Sequence, residues 1–267
     1  MKNSDFLSGT NRNIFINMPI RKIDDRYMEL IESHRFNLEI GIDYYSLDHY
    51  SSKDFGYLAD RLLNLGITMT VHAPFNELFL GSPDRLIREA SLSRIDSAFD
   101  AMFYFSPISV VLHLNYEEKR FGYMYDEWFS YIIPNLIRYA EKCDKMGAIL
   151  VIENVYEETP DVISSVIERM HGYPVYHCID VGHINAFSRL DVKEWIDMIG
   201  KHIRHFHLHD NDGSKDAHDP IGKGNIDFTM IVDFIDQMKQ PPIITLEPHT
   251  EEDLWSTLEG ATRIALL

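Results

Sequence analysis

Eight short apolar runs rich in β-branched residues recur along the chain, with longer segments of helical period between them. This alternation restricts the fold more than any other feature. The strand candidates are Ile14–Met18, Asn37–Ile40, Thr68–His72, Ser109–His113, Ile149–Glu153, Tyr176–Asp180, Ile203–His207 and Ile243–Glu247. Apolar runs bounded by turn residues suit strands buried on both faces, as in a parallel sheet covered by helices. Ser51 and Ser52 can cap a helix over Phe55–Leu65, which Gly66 ends. Ser82-Pro83-Asp84 opens Leu86–Phe103, and Trp128–Met146 contains Pro134, which predicts a kink or a late start. Thr159-Pro160 reads as a cap followed by proline at the first helical position of Val162–Met170. Asp191 caps Val192–Ile199, and Phe228–Met238 and Glu251–Leu266 complete the helical set. The pattern has no linker or low-complexity stretch. It predicts the α/β class, a (β/α)₈ TIM barrel forming a single domain over residues 1–267. An open doubly wound sheet is the alternative.

Composition sets further bounds. With 267 residues, 45% of them hydrophobic, the chain can bury a large core. The two cysteines, Cys143 and Cys178, are far apart and form no CxxC. That argues against a disulfide framework or a thiolate zinc site and fits a reducing compartment. No stretch approaches the roughly 20 apolar residues of a membrane span. The opening MKNSDFLSGTNRNIF lacks the apolar core of a signal peptide, so the expectation is a cytoplasmic protein without a membrane partner. The formal charge is −17, from 42 acidic and 25 basic residues. Such a surface repels polyanions and disfavours nucleic acid as a partner.

From the third strand onward, nearly every strand candidate ends in a metal-binding residue type. The ends are His72 in VHAPF, His113 in VVLHLN, Glu153 in VIEN, Asp180 with His183 in CIDVGH, the HFHLHD run, and Glu247 in ITLE. In a barrel these ends converge on one mouth, where such folds carry their chemistry. A lone strand-end histidine is more often a hydrogen-bonded structural residue, and a lone carboxylate is usually solvated. Six consecutive strand ends of this kind are different, because clustered carboxylates without a cation repel and cannot all stay ionised. A divalent metal resolves the conflict, and mixed imidazole and carboxylate donors suit Zn, Mn, Fe or Co. On the seventh strand His205, His207 and His209 alternate onto one face, and pattern alone does not say which binds metal; His205 can equally be a barrel-interior residue. The following polar, glycine-rich loop offers Asp216 and His218 as further donors.

These marks, in order, are HAPFNE, REASLSRI, the strand-end EN, DVGHINAF, FHLHDNDGSKDAHDPIGKGNIDF and the final LE. From about the second strand to the C-terminus they resemble the xylose isomerase-like TIM barrel superfamily. That superfamily includes sugar and sugar-phosphate isomerases and epimerases as well as endonuclease IV (AP endonuclease family 2). Resemblance to the epimerase branch implies one metal, manganese or cobalt, held by Glu153, Asp180, His207 and Glu247, with His183 on the substrate. Resemblance to endonuclease IV implies three zinc ions: one on His72, His113 and Glu153, a second on Glu153, Asp180, His207 and Glu247, a third on His183, Asp216 and His218. All nine positions carry the right residue types.

Two reaction classes follow. In the first, a small sugar, sugar phosphate or related polyol-ketone is isomerised or epimerised through a metal-stabilised enediolate, with Glu153 and Glu247 as the acid/base pair. In the second, a di- or trinuclear zinc site hydrolyses a phosphoester. The acidity and the lack of a basic, aromatic-interleaved DNA-reading segment favour the first; the extra ligands favour the second. A metal-stabilised binding barrel without activity ranks below both, because structural metal sites are usually closed. Phe75 can wall the pocket or act as a small wedge. Lys223 and Arg88 are candidate phosphate contacts, and Lys119-Arg120 could form a small basic patch. A homo-oligomer is a mild expectation from the resemblance.

Overall fold

Strand formation follows the apolar runs closely. The structure, a computed structural model, describes residues 12–267. The strands are β1 (Asn13–Pro19), β2 (Asn37–Gly41), β3 (Met69–His72), β4 (Ser109–His113), β5 (Ile149–Glu153), β6 (Val175–Asp180), β7 (Ile203–Leu208) and β8 (Ile243–Leu246). They pair in parallel in chain order, and β8 returns to β1 with Asn13 opposite Ile243, so the sheet closes as a (β/α)₈ barrel. The open doubly wound alternative is thereby ruled out. The strand limits differ from the expected ones by a residue or so, and Glu247 lies just beyond β8.

Alternation along each strand produces two populations of side chains. Leu38, Ile40, Val110, Leu112, Phe206, Leu208, Ile244 and Leu246 point outward into the main core beneath the helices. The intervening positions point into the barrel. There Val111, Val151 and Cys178 form a separate small apolar layer. Above and beside it the inward positions turn polar: Glu39, Thr70, His205, His207 and Thr245 are all buried.

The helices are α1 (Asp25–His34), α2 (Tyr44–His49), α3 (Ser52–Asn64), α4 (Arg85–Met102), α5 (Glu118–Phe121), α6 (Tyr125–Met146), α7 (Asp161–Arg169), α8 (Val181–Phe187), α9 (Val192–Ile199), α10 (Phe228–Gln237) and α11 (Glu251–Arg263). Ser51 caps α3 in a reciprocal capping box with Asp54, and Asp191 does the same for α9 with Glu194. Asp84 caps α4 by accepting from the amides of Leu86 and Ile87. Two expectations need correction. The α6 helix starts at Tyr125 and runs unbroken through Pro134, because Pro134 and Ser130 are both exposed and water can serve the carbonyl that proline leaves unbonded. At α7 the cap position is Pro160 and there is no side-chain cap; the Thr159 hydroxyl instead donates to Asp161. Cys143 and Cys178 are buried and unbridged. No helix among the described residues is long and apolar enough to cross a membrane.

One close approach ties the chain's end to the loop after β7. A Cβ on Gly260 of α11 would stand 2.1 Å from the Ile221 carbonyl oxygen. Replacing a helical glycine by alanine gains about 1 kcal/mol of propensity, whereas overpacking costs about 1–3 kcal/mol. Against a backbone atom the steric term wins. Gly260→Ala should therefore lower the urea midpoint, and an unchanged or raised midpoint would show that the loop yields freely.

Candidate metal centre

Register sets the site. Across adjacent strands His113 pairs with Glu153, and Asp180 with His207, so donors at successive strand ends stand side by side. Three groups result. In the first, the Nε2 atoms of His72 and His113 are each 3.0 Å from Glu153 Oε2 and 3.1 Å from each other. In the second, His207 Nδ1 lies 3.3 Å from Glu153 Oε2, 3.2 Å from Glu247 Oε1 and 4.0 Å from Asp180 Oδ2. In the third, Asp216 Oδ2 is 3.3 Å from His183 Nε2 and 3.2 Å from His218 Nε2. All nine sequence candidates are thus in one mouth, and Glu153 Oε2 is shared by the first two groups.

These separations approach the edge of a tetrahedron, about 3.3 Å for metal–ligand bonds of about 2.0–2.1 Å. Hydrogen bonding alone leaves the site incomplete: Nδ1 of His207, His209 and His218 and Oδ1 of Asp216 are buried without a hydrogen-bond partner. Buried polar atoms in proteins are nearly always satisfied. The donor set therefore fits divalent cations.

Local backbone chemistry holds the donors. His72 Nδ1–H donates to the Ala73 carbonyl at 2.8 Å and His183 Nδ1–H to the Asn154 carbonyl at 2.9 Å, which turns each Nε2 to the site. Asn154 clamps β5 to β6: its amide donates to the Asp180 carbonyl and its Oδ1 accepts from the Asp180 amide, both at 2.9 Å. The loop carrying Asp216 and His218 is folded around buried Asp210, whose carboxylate accepts the amides of Asn211, Gly222 and Gly224. His218 itself adopts a left-handed backbone, φ 50°. This conformation is uncommon for a residue with a Cβ.

Electrostatics follow from burial and proximity. Burial raises the Glu153 carboxyl, but His207, His113 and His183 outweigh it and hold it well below its ordinary range. Asp180 is likewise raised by burial yet lowered overall by His183 and His209. Glu247 is raised, chiefly by burial, which outweighs the opposing pull of His207 and His218, with the Asp180 and Glu153 charges adding to the rise. Burial lowers His183 and His207, but facing carboxylates carry His183, and Cys178 with Glu153, Glu39 and Glu247 carries His207, well above an ordinary imidazole. His218 is lowered by burial and raised by Asp216 and Glu247, reaching about 9. His113 is lowered, with burial the largest cause.

The donors open onto a cavity of about 430 Å³, lined also by Asn17, Arg21, Lys22, Tyr44, Asn115, Tyr156 and Phe187. Phe75 lies in its wall, stacked on His113 at 4.7 Å and edge-on to His72 at 5.3 Å. Lys223 is exposed and does not line this cavity, which corrects its reading as a substrate contact: the Gly222 and Gly224 amides bond Asp210 and leave the intervening side chain facing outward. Arg88 is held by the carbonyls of Ser82 and Pro83 and lies over the Tyr131 ring. Lys119 faces Glu158 at 3.7 Å and Arg120 lies over Phe79. His205 is a barrel-interior residue, its Nε2 2.7 Å from Thr245 Oγ1, and burial drives it down to about 3. His209 reaches the two Asp180 carboxylate oxygens at 3.1 and 3.2 Å. Reasoning from sequence missed Glu39, Asn17 and the Arg21-Lys22 pair. For Glu39 a signal existed, an acid inside the apolar run NLEIG.

Residues 22–265 match the family model described as xylose isomerase-like TIM barrel. An uncharacterized protein of Methanocaldococcus jannaschii, MJ1311, is 26% identical over 234 residues, covering 85% of this chain and 79% of the relative. A Thermus thermophilus protein, TTHB071, from a crystal soaked with ZnCl2, superimposes with a TM-score of 0.78 at 22% identity, covering 95% of this chain and 98% of that one. A D-tagatose 3-epimerase-like protein gives a TM-score of 0.78 at 22% identity, with 95% and 97% covered. At such identities the structural likeness establishes the fold.

Because His183, His207 and His218 are raised in the metal-free protein, binding a cation through them must expel protons. Zinc affinity should therefore be tighter at pH 8 than at pH 6, with proton release visible by calorimetry in buffers of different ionisation enthalpy. The raised His218 stabilises the metal-free fold fully below its unfolded value of about 6.5. That contribution should fade as pH rises through about 9. Equal affinity at both pH values without proton release would contradict this charge assignment.

Proposed function

Because the chain belongs to the xylose isomerase-like TIM barrel family, we propose that it is a divalent-metal-dependent enzyme that isomerises or epimerises a small sugar, sugar phosphate or related polyhydroxy ketone. The observation that carries this reading is the placing of two carboxylates of opposite character about one imidazole. Glu153 and Glu247 stand 3.3 and 3.2 Å from His207 Nδ1, the first held ionised and the second raised. Both line a cavity of about 430 Å³, within the roughly 300–1,000 Å³ of small-molecule sites.

Glu153, Asp180, His207 and Glu247 would hold the cation. When bound there, it supplies Lewis-acid polarisation of a substrate carbonyl and its neighbouring hydroxyl. Glu153, ionised, is the acceptor for the proton alpha to the carbonyl. Glu247 would return a proton at the opposite face. Such assistance is typically worth about 10²–10⁴-fold. His183 points Nε2 to the cavity as a hydroxyl partner, and Phe75, Tyr156 and Phe187 offer apolar surface that excludes water.

A second reading, phosphoester hydrolysis at two or three metals, is favoured by one specific observation. The His72–His113–Glu153 and His183–Asp216–His218 groups exceed what a one-metal epimerase needs.

Metal content separates the two. One equivalent per chain supports the epimerase reading, and two or three supports hydrolysis. On the epimerase reading, Glu153→Gln and Glu247→Gln each lower solvent proton exchange into a ketose substrate by about 10²-fold or more, whereas His218→Ala costs less than about tenfold. Full activity in both glutamate variants would rule this mechanism out. Loss of phosphodiester cleavage in His218→Ala, with no ketose turnover in the parent protein, would establish the second reading.

A further inference from the structure

Beneath the mouth lies a carboxylate that the proposed chemistry does not use. Glu39, on the inward face of β2, is fully buried, and no lysine or arginine among the described residues contacts it. Every group around it can donate. Asn17 Nδ2 donates to Oε1 at 3.1 Å, and the Thr70 and Thr245 hydroxyls donate to Oε2 at 3.0 and 3.2 Å. The Thr245 proton is committed to Glu39, so His205 Nε2–H donates to Thr245 at 2.7 Å, leaving His205 Nδ1 to accept from Ser109 at 3.4 Å. This directional chain accommodates an ionised Glu39 and a neutral His205. His207 faces the same carboxylate: its Nε2 is 3.1 Å from Glu39 Oε1, off the N–H axis.

The other site histidines are held differently. His72 and His183 give their second ring proton to neutral backbone carbonyls. His183 Nδ1 also lies 3.3 Å from Asp180 Oδ2 and 3.4 Å from Glu153 Oε1, both members of the donor set, whereas among these three His207 alone has behind it a buried carboxylate from outside that set, at the ring nitrogen remote from Glu153 and Glu247. A carboxylate behind a metal-ligating imidazole fixes the tautomer and raises ligand basicity.

We infer that Glu39 is a positioning residue, which keeps the His207 ring proton on Nε2 and commits Nδ1 to the metal group from beneath. The inference rests on His207 being a metal ligand, as proposed above. It assigns to the polar barrel floor a part in metal retention rather than in packing.

The test compares wild type, E39Q and a floor control, S109A, which alters the same layer without touching Glu39 or His207. The glutamine substitution keeps the side-chain volume and removes the charge. Long-range ¹H–¹⁵N spectra of metal-free protein, taken alkaline enough to leave the ring neutral, should show wild-type and S109A His207 as the Nε2–H tautomer and E39Q as a mixture. Cobalt and zinc affinity, measured by chelator competition, should fall by about 10–100-fold in E39Q and by less than about threefold in S109A, with far-UV circular dichroism unchanged. Unaltered tautomer and affinity in E39Q, or equal losses in S109A, would overturn the assignment. If E39Q does not fold, the wild-type spectrum decides: Nε2–H supports it and Nδ1–H overturns it. Wild type that binds no metal would defeat the metal-dependent reading above, while the tautomer result would still judge Glu39.

Discussion

Closure of the parallel sheet is the constraint on which everything else in this molecule depends. Because all eight strands run the same way and β8 returns to β1, their C-terminal ends meet at one mouth. Residues more than a hundred positions apart, such as His72 and His207, thereby face a common carboxylate, Glu153. The same closure leaves no sheet edge and forces every inward position to fill a narrow interior. The lower interior is filled by Val111, Val151 and Cys178, the upper by ionisable groups.

Filling a barrel with charge carries a large desolvation cost, offset only where charges are paired and bonded. Here carboxylates and imidazoles intermingle around the mouth, and Lys and Arg stay at the rim of the cavity. The pairing is incomplete, since several buried imidazole nitrogens lack a hydrogen-bond partner. Those orphaned atoms distinguish this arrangement from a self-sufficient polar network and point to cations as the missing partners.

Substrate chemistry is shaped by what surrounds the donors. Aromatic side chains at Phe75, Tyr156 and Phe187 and amides at Asn17 and Asn115 give the cavity the mixed apolar and polar lining of a small-molecule site. The loop from Asp210 to Asn225 brings a third donor group close to the first two, held by backbone amides on Asp210. That loop makes hydrolysis a serious competitor to epimerisation, because it converts a single site into a contiguous row.

The fold was largely legible in the sequence, because short continuous apolar runs and capped helical segments are local signals. The runs placed the strands to within a residue or so, and Ser51 and Asp191 were identifiable caps. Pro134 misled because exposure, a tertiary property, decides whether a helix tolerates proline. The nine strand-end and loop donors could be named from residue type and order, but their grouping could not, because register between strands fixes which oxygen faces which nitrogen. Lys223 looked available in sequence and was turned outward by amides bonding Asp210. Glu39 was visible as an acid in an apolar run, yet only the barrel reveals that it lies beneath His207. Sequence by itself determined the periodicities and the inventory of donors, since these depend on neighbours along the chain. Tertiary structure decided the partnerships, the charge states and the cavity, since these depend on distances of a few ångströms between residues far apart in the chain.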